Sequence, residues 1–545
     1  MSAHPTLTHV VNPVGVDPDH PLWLTQQVTF AAMRRALHGL EDRVEVATVG
    51  YPEDATIIPP EFRRLPDLST SALDVADFSN RRKLPFLGDI LSTAAQHCSS
   101  DHLIYTNLDI IPGPDFYRFV FDKLASGEQA FTINRRTVAP VAEPLENLDA
   151  LFSQHGAPHP GHDCFVFPRA WVDHFDLGRT VVGVPWIGFN LLLNLATVGD
   201  VTVLDGEFQT FHIGDDRTWM DEDDRPYRDF HTEVAVGVTE RMFVRDRTLR
   251  SNPYIMSHVR LMEGQRADAD FRPPETRAEP PVPKVFSISS GRAGSEYLQT
   301  LLASASKVKA FHEPQPTMSG RPLEQAMETG EPGPDLVAAK LATVESVCQS
   351  LPPGWTYAET NHMFIKTFAD AAVNRWLDST SVIHLRRNLV DVLASFMKLG
   401  YFSDLNKAWP HWMHRVPSGL SLIDTPASFE TMDPMDRSIA YLLDIEALGA
   451  DFALRHPDLT MVETSLEALQ ELEEVERVLD ALGLVPTPRT LEVTGRRVNE
   501  RSHVKRGFGL DVDRSECRLR LERFAEDIDI GAAQWWVERS LAEAP

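Results

Sequence analysis

The chain has 545 residues, 43% hydrophobic and 24% charged, with a formal net charge of -27 at pH 7. That length exceeds what one hydrophobic core organises, so two or three domains are expected. The acidic balance argues against sequence-independent binding to nucleic acid or anionic lipid. Any anionic ligand then needs positive charge concentrated locally, and Arg496, Arg497, Arg501, Lys505 and Arg506 form such a concentration. The four cysteines, Cys98, Cys164, Cys348 and Cys517, are scattered without a C-x-x-C pair. This argues against zinc and a disulfide framework and fits a reducing compartment. The first residues, MSAHPTLTHVV, lack a basic stretch followed by an apolar core, so no signal peptide is expected. Residues 181–204 are the most apolar run, but Pro185, Asn190 and Asn194 interrupt it. No membrane span is expected, and the expected location is cytoplasmic.

In chain order, residues 7–14 read as a buried strand, 24–37 as an amphipathic helix and 44–49 as a second strand. Residues 84–97 read as a helix, and 103–105 as a third strand running into Thr106-Asn107-Leu108-Asp109. Strands alternating with helices predict an open, doubly wound sheet, whose chemistry sits at the carboxyl ends of its strands. Asp109 is at such an end. Further on come His159-Pro160-Gly161-His162-Asp163, then Pro185-Trp186-Ile187-Gly188-Phe189-Asn190, then Phe211-His212-Ile213-Gly214-Asp215-Asp216.

Over residues 5–260 this pattern resembles the nucleotide-sugar glycosyltransferases of the GT-A fold. Their Asp-x-Asp motif holds a divalent cation on the donor diphosphate. Here the motif reads Asn107-Leu108-Asp109, with an amide in the first place. The resemblance implies Asp109 and His212 as ligands of Mn2+ or Mg2+ with a nucleotide-sugar. Residues 185–190 stand where inverting members carry a carboxylate base, and none is present there. Asp163 is the only substitute in view, in a cluster suited to an acceptor pocket. Residues 266–284 then bring five prolines and many charges, the clearest linker in the chain, semi-rigid and extended.

The second half opens on VFSISSGRAGSEYLQTLL, residues 285–302. Residues 285–288 read as a buried strand, Ser289 to Ser295 as a glycine-punctuated loop, and Glu296 onward as a helix. Glycines let backbone N–H groups turn inward, and a helix N-terminus adds positive potential, so the segment predicts an anion cradle. It lacks the Gly-Lys-Ser/Thr of a Walker A loop. A second strand–turn–helix follows in SVIHLRRNLVDVLASF, with Arg387 at the strand end and Ser395 eight residues later. A guanidinium offers forked, charge-assisted bonds to phosphate, and a hydroxyl adds one donor.

These two motifs, 95 residues apart from Arg292 to Arg387, resemble the 5′-phosphosulfate loop and 3′-phosphate site of sulfotransferases. Those enzymes use 3′-phosphoadenosine-5′-phosphosulfate (PAPS). The resemblance covers residues 284–510 and implies donor contacts from Ser290, Gly291, Arg292, Gly294, Ser295, Arg387 and Ser395. Residues 461–484 resemble the strand and helix that close the fold. Lys505-Arg506-Gly507 resembles the segment folded over the 3′-phosphate. Glu296 departs from the pattern, since a Thr or Ser is usual there, and it is expected to point outward from the first helical turn. Arg292 is implied as the stabiliser of the transferring group, and Glu313, in Phe311-His312-Glu313-Pro314, as the base, with His312 its rival. Glu359 and Lys366 are expected to line the acceptor side.

The expected fold is thus α/β in two domains. Residues 1–265 form a GT-A-like open sheet, 266–284 a linker, and 285–545 a P-loop-type sulfotransferase domain with a parallel sheet. The expected activity is sulfuryl transfer from PAPS to a hydroxyl of a small molecule or saccharide. Two alternatives stand beside it: a metal-dependent glycosyltransferase with a non-catalytic second domain, and a non-catalytic carbohydrate-binding scaffold.

Overall fold

The computed structural model describes residues 5–159, 161–214, 221–425, 427–496 and 512–543. The chain is α/β and divides into two units, Met1–Pro280 with Ser350–Gly354, and Pro281–Gln349 with Trp355–Pro545.

The first unit contains β1 (Leu7–Val11), β2 (Val44–Thr48), β3 (Arg63–Arg64), β4 (His102–Thr106), β5 (Ile111–Pro112), β6 (Phe131–Ile133), β7 (Arg136–Val138), β8 (Ala157–Pro158), β9 (Cys164–Pro168), β10 (Thr202–Leu204) and β11 (Thr210–Ile213). Seven strands form one sheet in the order β10-β6-β9-β4-β1-β2-β3. Within it β9 runs antiparallel to β4 and β6, and the other pairs are parallel. β1 is an interior strand buried along its whole length, and its polar Thr8 and His9 are satisfied by Ser100, Tyr117 and Thr106. Its side chains alternate between faces. Val10 packs with Ala47 and with Leu87, Ile90 and Leu91 of the helix Leu87–His97. Val11 packs on the other face, with Phe30 and Met33 of the helix Pro21–Leu37.

A smaller sheet, β5-β11-β7-β8, lies beside the first in sequence. Its pairing of Phe211 with Ile111 brings the segment after β4 to the end of the unit's last strand. Part of the proline-rich stretch is anchored to this unit. Arg272 N–H donates to Asp229 (2.9 Å), Arg277 N–H to Val75 O (2.8 Å), and Arg179 pairs with Glu279 (2.9 Å).

The second unit is built on β12 (Lys284–Ile288), β13 (Val308–His312), β14 (Thr356–Thr360), β15 (Thr380–Arg386) and β16 (Thr460–Ser465). All pairs are parallel, in the order β13-β14-β12-β15-β16. The chain leaves β12 towards one edge, returns through β14, and crosses to β15 on the other side. The loop after β12 therefore sits where the winding reverses, the usual ligand crevice of such sheets. β13 and β14 are short and mix charged with apolar residues, so they leave no clear strand signature in the sequence. In the fold Glu313 follows strand β13.

All four cysteines are free and buried. Among the described residues no helix is long and apolar enough to cross a membrane.

Candidate functional site

A cavity of about 790 Å³ opens at the carboxyl ends of the second unit's strands. Every strand delivers residues to it. Gly291, Arg292, Gly294, Ser295 and Glu296 follow β12, and Glu313 follows His312, the last residue of β13. His362 comes just after β14, Arg387 after β15, and Leu466, Glu467 and Gln470 after β16. Tyr401, Trp412 and Met413 add an aromatic and thioether wall, and Arg496 a third guanidinium.

The glycine loop is tight for stated reasons. Gly291 and Gly294 have φ of +80° and +96°, where a side chain is strained. At Gly294 a Cβ would also stand 2.6 Å from Leu466 Cδ1. Gly294 is the N-cap of the helix Ser295–Ser304, so that helix begins at the cavity wall. Arg292, between the glycines, itself has a φ of 58°. A left-handed arginine is uncommon, and such strain tends to gather at ligand sites.

The sequence motifs meet here. Arg292 Nε donates to Ser395 Oγ at 3.3 Å, across 103 residues of chain, and Arg387 Nη1 donates to Arg292 O at 3.1 Å. Asn388 caps the helix Leu389–Lys398 through Val390 N–H at 3.0 Å, which holds the turn carrying Arg387. Ser290 is buried, and its carbonyl accepts from Tyr441 OH at 2.9 Å. Lys505, Arg506 and Gly507, with Arg497 and Arg501, lie outside the described residues.

On the opposite wall His312 Nδ1 donates to Thr360 O at 3.1 Å, leaving Nε2 as the open nitrogen. That Nε2 is 3.9 Å from Glu296 Oε1 and 4.0 Å from Glu313 Oε1. Glu296 therefore lines the cavity beside His312 and does not turn outward, because the first helical turn itself borders the cavity. Glu313 has a φ of 46°, the second strained non-glycine at the site.

Sequence reasoning missed His362, whose Nε2 is 3.4 Å from Glu313 Oε1. Behind it is Lys366, in a π-helical turn (Phe364–Phe368) and fully buried. Its Nζ reaches His362 Nδ1 (2.9 Å), Trp412 O (2.7 Å) and Tyr441 OH (3.0 Å). None of these is a carboxylate, and burial pushes the ammonium down to about 7. Burial, then the Lys366 charge, hold His362 well below the usual histidine range, so its imidazole is neutral. Lys366 thus lies beneath the cavity instead of lining it. Glu359 is not on the acceptor side either. It is wholly buried, paired with Lys340 at 2.7 Å and bonded by Tyr357 OH (2.6 Å) and Asn361 Nδ2 (2.9 Å). The alternation in TYAET (Thr356–Thr360) marks a strand, and the side chain after Ala358 points into the core.

In the first unit, Asp109 and His212 are brought together, with His212 Nε2 3.2 Å from Asp109 Oδ2. His212 Nδ1 donates to Gly214 O at 2.7 Å, which leaves Nε2 as a lone pair facing a carboxylate unless a proton or cation lies between. Burial alone would lower the His212 imidazole, but the Asp109 carboxylate outweighs it and raises it. Asp109 Oδ1 is buried without a partner, as a metal ligand would be. Among the described residues, however, no group of three or more His, Cys, Asp or Glu side chains is arranged to hold a metal. Asp215 and Asp216 lie outside those residues. Asn107 Nδ2 is 3.5 Å from Asp163 Oδ1, and Arg135 pairs with Asp163 Oδ2 at 3.1 Å. Trp186, with a φ of 75°, starts the helix Ile187–Val198, and a Cβ on Gly188 would stand 2.1 Å from His162 O. The segment without a base is thus pressed against the His162 backbone.

No family model matches the chain, and no curated protein matches it. Solved structures similar to it include glucosyl-3-phosphoglycerate synthase from Mycobacterium tuberculosis, in complex with Mn2+, uridine diphosphate and phosphoglyceric acid. It has 14% identity and a TM-score of 0.28, covering 45% of this chain and 79% of that one. A second is a mycobacterial protein at 15% identity and a TM-score of 0.26, covering 45% of this chain and 75% of that one.

Lys366 sets a pH signature on stability. Its folded value of about 7 lies below the ordinary 10.5, so the folded state sheds this proton first as pH rises. The contribution is fully present above about 10.5 and lost as pH falls to about 7. Urea unfolding at several pH values should therefore show wild type gaining on Lys366→Met between pH 7 and 9. The gain should reach at most about 1.4 kcal/mol per pH unit. A constant difference between the two proteins would refute it.

Proposed function

We propose that residues 285–545 act as a sulfotransferase, taking a sulfuryl group from PAPS to a hydroxyl, with a saccharide as the favoured acceptor. The observation that carries this reading is that Arg387 and Ser395 both bond to Arg292 of the glycine loop, and that Arg292, Arg387 and Glu313 line one cavity. β15, next to the loop strand, leads into Arg387 rather than a carboxylate, which favours an anion bound by guanidinium groups over a metal triphosphate.

In this reading Arg387 and Ser395 hold the 3′-phosphate and the loop N–H groups the 5′ end. Glu313 takes the acceptor proton as the acceptor oxygen forms its bond to sulfur. The S–O bond to the 5′-phosphate breaks, and its electron pair leaves on that phosphate. Arg292 stabilises charge on the sulfuryl oxygens and the leaving group. His312, with Nε2 open, is the competing base. Lys505, Arg506 and Gly507 belong to the same reading as cover over the 3′-phosphate.

Replacing Arg387 by Ala removes a charge-assisted contact of about 1.5–3 kcal/mol, so calorimetry should find PAP, the product nucleotide, bound at least about tenfold more weakly. Unchanged affinity would remove Arg387 from the site. Glu313→Gln keeps the shape but cannot accept a proton, so turnover should fall about 10²–10⁴-fold with PAP affinity retained. Normal turnover in that variant beside a dead His312→Ala would transfer the role to His312.

A second reading concerns residues 1–265, joined through 266–284, as a GT-A-like domain for a nucleotide-sugar. It is favoured by the unpartnered Asp109 Oδ1 beside His212 Nε2, two donors suited to Mn2+ or Mg2+. Such a cation would neutralise a donor diphosphate and assist its departure. Manganese should then tighten UDP binding, and Asp109→Ala should abolish that enhancement. Binding of UDP that ignores manganese would leave this unit as a scaffold.

A further inference from the structure

Lys366 is fully buried directly behind His362, which in turn faces the residue read as the base, and its hydrogen-bond count can take only a few values. As an ammonium it has three N–H groups for three acceptors, His362 Nδ1, Trp412 O and Tyr441 OH. Trp412 O is a carbonyl and never donates. The Tyr441 hydrogen is committed to Ser290 O at 2.9 Å, in the loop itself. The ammonium therefore donates to His362 Nδ1. The neutral imidazole must then carry its hydrogen on Nε2, which faces Glu313 Oε1 at 3.4 Å, the long end of hydrogen-bond reach.

Without its third proton the amine has two N–H groups and one lone pair. If the two N–H groups stay on Trp412 O (2.7 Å) and Tyr441 OH (3.0 Å), the lone pair is left for His362. Nδ1 must then bear the hydrogen, and Nε2 turns a bare lone pair on the Glu313 carboxylate. Turning the Tyr441 hydroxyl round instead would leave the Ser290 carbonyl unpaired in the interior.

We propose that Lys366 is a positioning residue acting on Glu313 through His362, a tautomer switch in which the ammonium presents N–H to the carboxylate and the neutral amine presents a lone pair. The proposal rests on the reading of Glu313 as the base. In the first state Oε1 receives a hydrogen bond and Oε2 is left to take the acceptor proton. In the second the carboxylate is repelled unless it already holds a proton, and it no longer serves. The other titratable groups here are His312 and Glu313 after β13, Tyr401, Tyr441, and His414. His414 is already paired with Asp444 at 2.7 Å, and the Glu313 carboxylate is the charge that acts on Lys366, opposing the effect of burial. The ammonium, pushed down to about 7 by burial, makes both states accessible near neutrality.

The test is nitrogen NMR of the full chain with ¹⁵N-labelled histidine, the His362 signals being assigned by their loss in His362→Gln. In wild type the two ring nitrogens should exchange roles as pH passes from 6 to 8.5, Nε2 protonated at low pH and Nδ1 at high pH, with the ring neutral throughout. Lys366→Met should show no such exchange. Tyr441→Phe is the sharper variant, because it frees one amine N–H for His362. It should keep Nε2 protonated at both pH values while Lys366 still titrates. PAP binding checks that each variant is folded, and if Lys366→Met fails to fold, Tyr441→Phe decides. A wild-type His362 that keeps one tautomer, one that becomes cationic at pH 6, or an exchange that survives in Tyr441→Phe would each overturn the switch. Normal turnover of Glu313→Gln would instead overturn the base reading, which the NMR result does not depend on.

Discussion

A lone ammonium with no carboxylate to meet it is a costly thing to bury, and the second unit is built around one. Lys366 Nζ is satisfied by a carbonyl, a phenol and an imidazole, from three separated stretches of chain. Each tie reaches a different part of the cavity. Tyr441 passes on to the glycine loop at Ser290, Trp412 belongs to the aromatic wall, and His362 faces Glu313. Loop, wall and the Glu313 side are therefore tied to one group, although that group lies outside the cavity.

The sheet supplies the other constraint. In a parallel sheet every strand ends on the same side, so five turns arrive at one rim whatever their order in sequence. The rim is crowded, and the crowding explains its strain. Gly294 clears Leu466 only because it lacks a side chain, while Arg292 and Glu313 occupy left-handed backbone that costs of order 1–3 kcal/mol each. The fold sustains this because the helix Ser295–Ser304 buries Tyr297, Leu298, Leu301 and Leu302 against the core formed with Val285, Ile383 and Val462.

How much of this could be read from sequence depends on whether the information was local. The strand–loop–helix at 285–302 and the Arg387/Ser395 spacing are each written in one short stretch, and the two stretches touch through Arg292. β13 and β14 were missed because VKAFH and TYAET are short and mix charged residues with apolar ones. Lys309 is buried despite its charge, with its Nζ 5.1 Å from the Phe311 ring centroid. Missing them hid the strand-end positions of Glu313 and His362. Glu359 was misassigned for a related reason. A strand residue beside a site looks the same in sequence whether it faces the ligand or the buried Lys340 of the preceding helix Pro334–Ser350. Tyr401, Trp412 and Met413 carry no local signature at all, since only tertiary packing turns them towards the loop.

The first unit poses the converse problem, since the proposed cation ligands Asp109 and His212 are in contact while residues 185–190 offer no carboxylate. Asp163, the one carboxylate near Asp109 that sequence offered as a substitute, is engaged on both oxygens by Arg135 and Asn107. Burial raises it, outweighing the Arg135 charge, which alone would make it the stronger base, so it is the engagement of both oxygens that counts against the role. A carboxylate so held is a poor acceptor for a substrate proton, whereas the Asp109–His212 pair, with one oxygen unpartnered, still suits a cation. The segment without a carboxylate and the proposed cation pair lie on different elements, the tightly packed start of the helix Ile187–Val198 and the β5–β11 pairing. The two features are therefore free to part, and what remains favours holding a diphosphate over activating an acceptor.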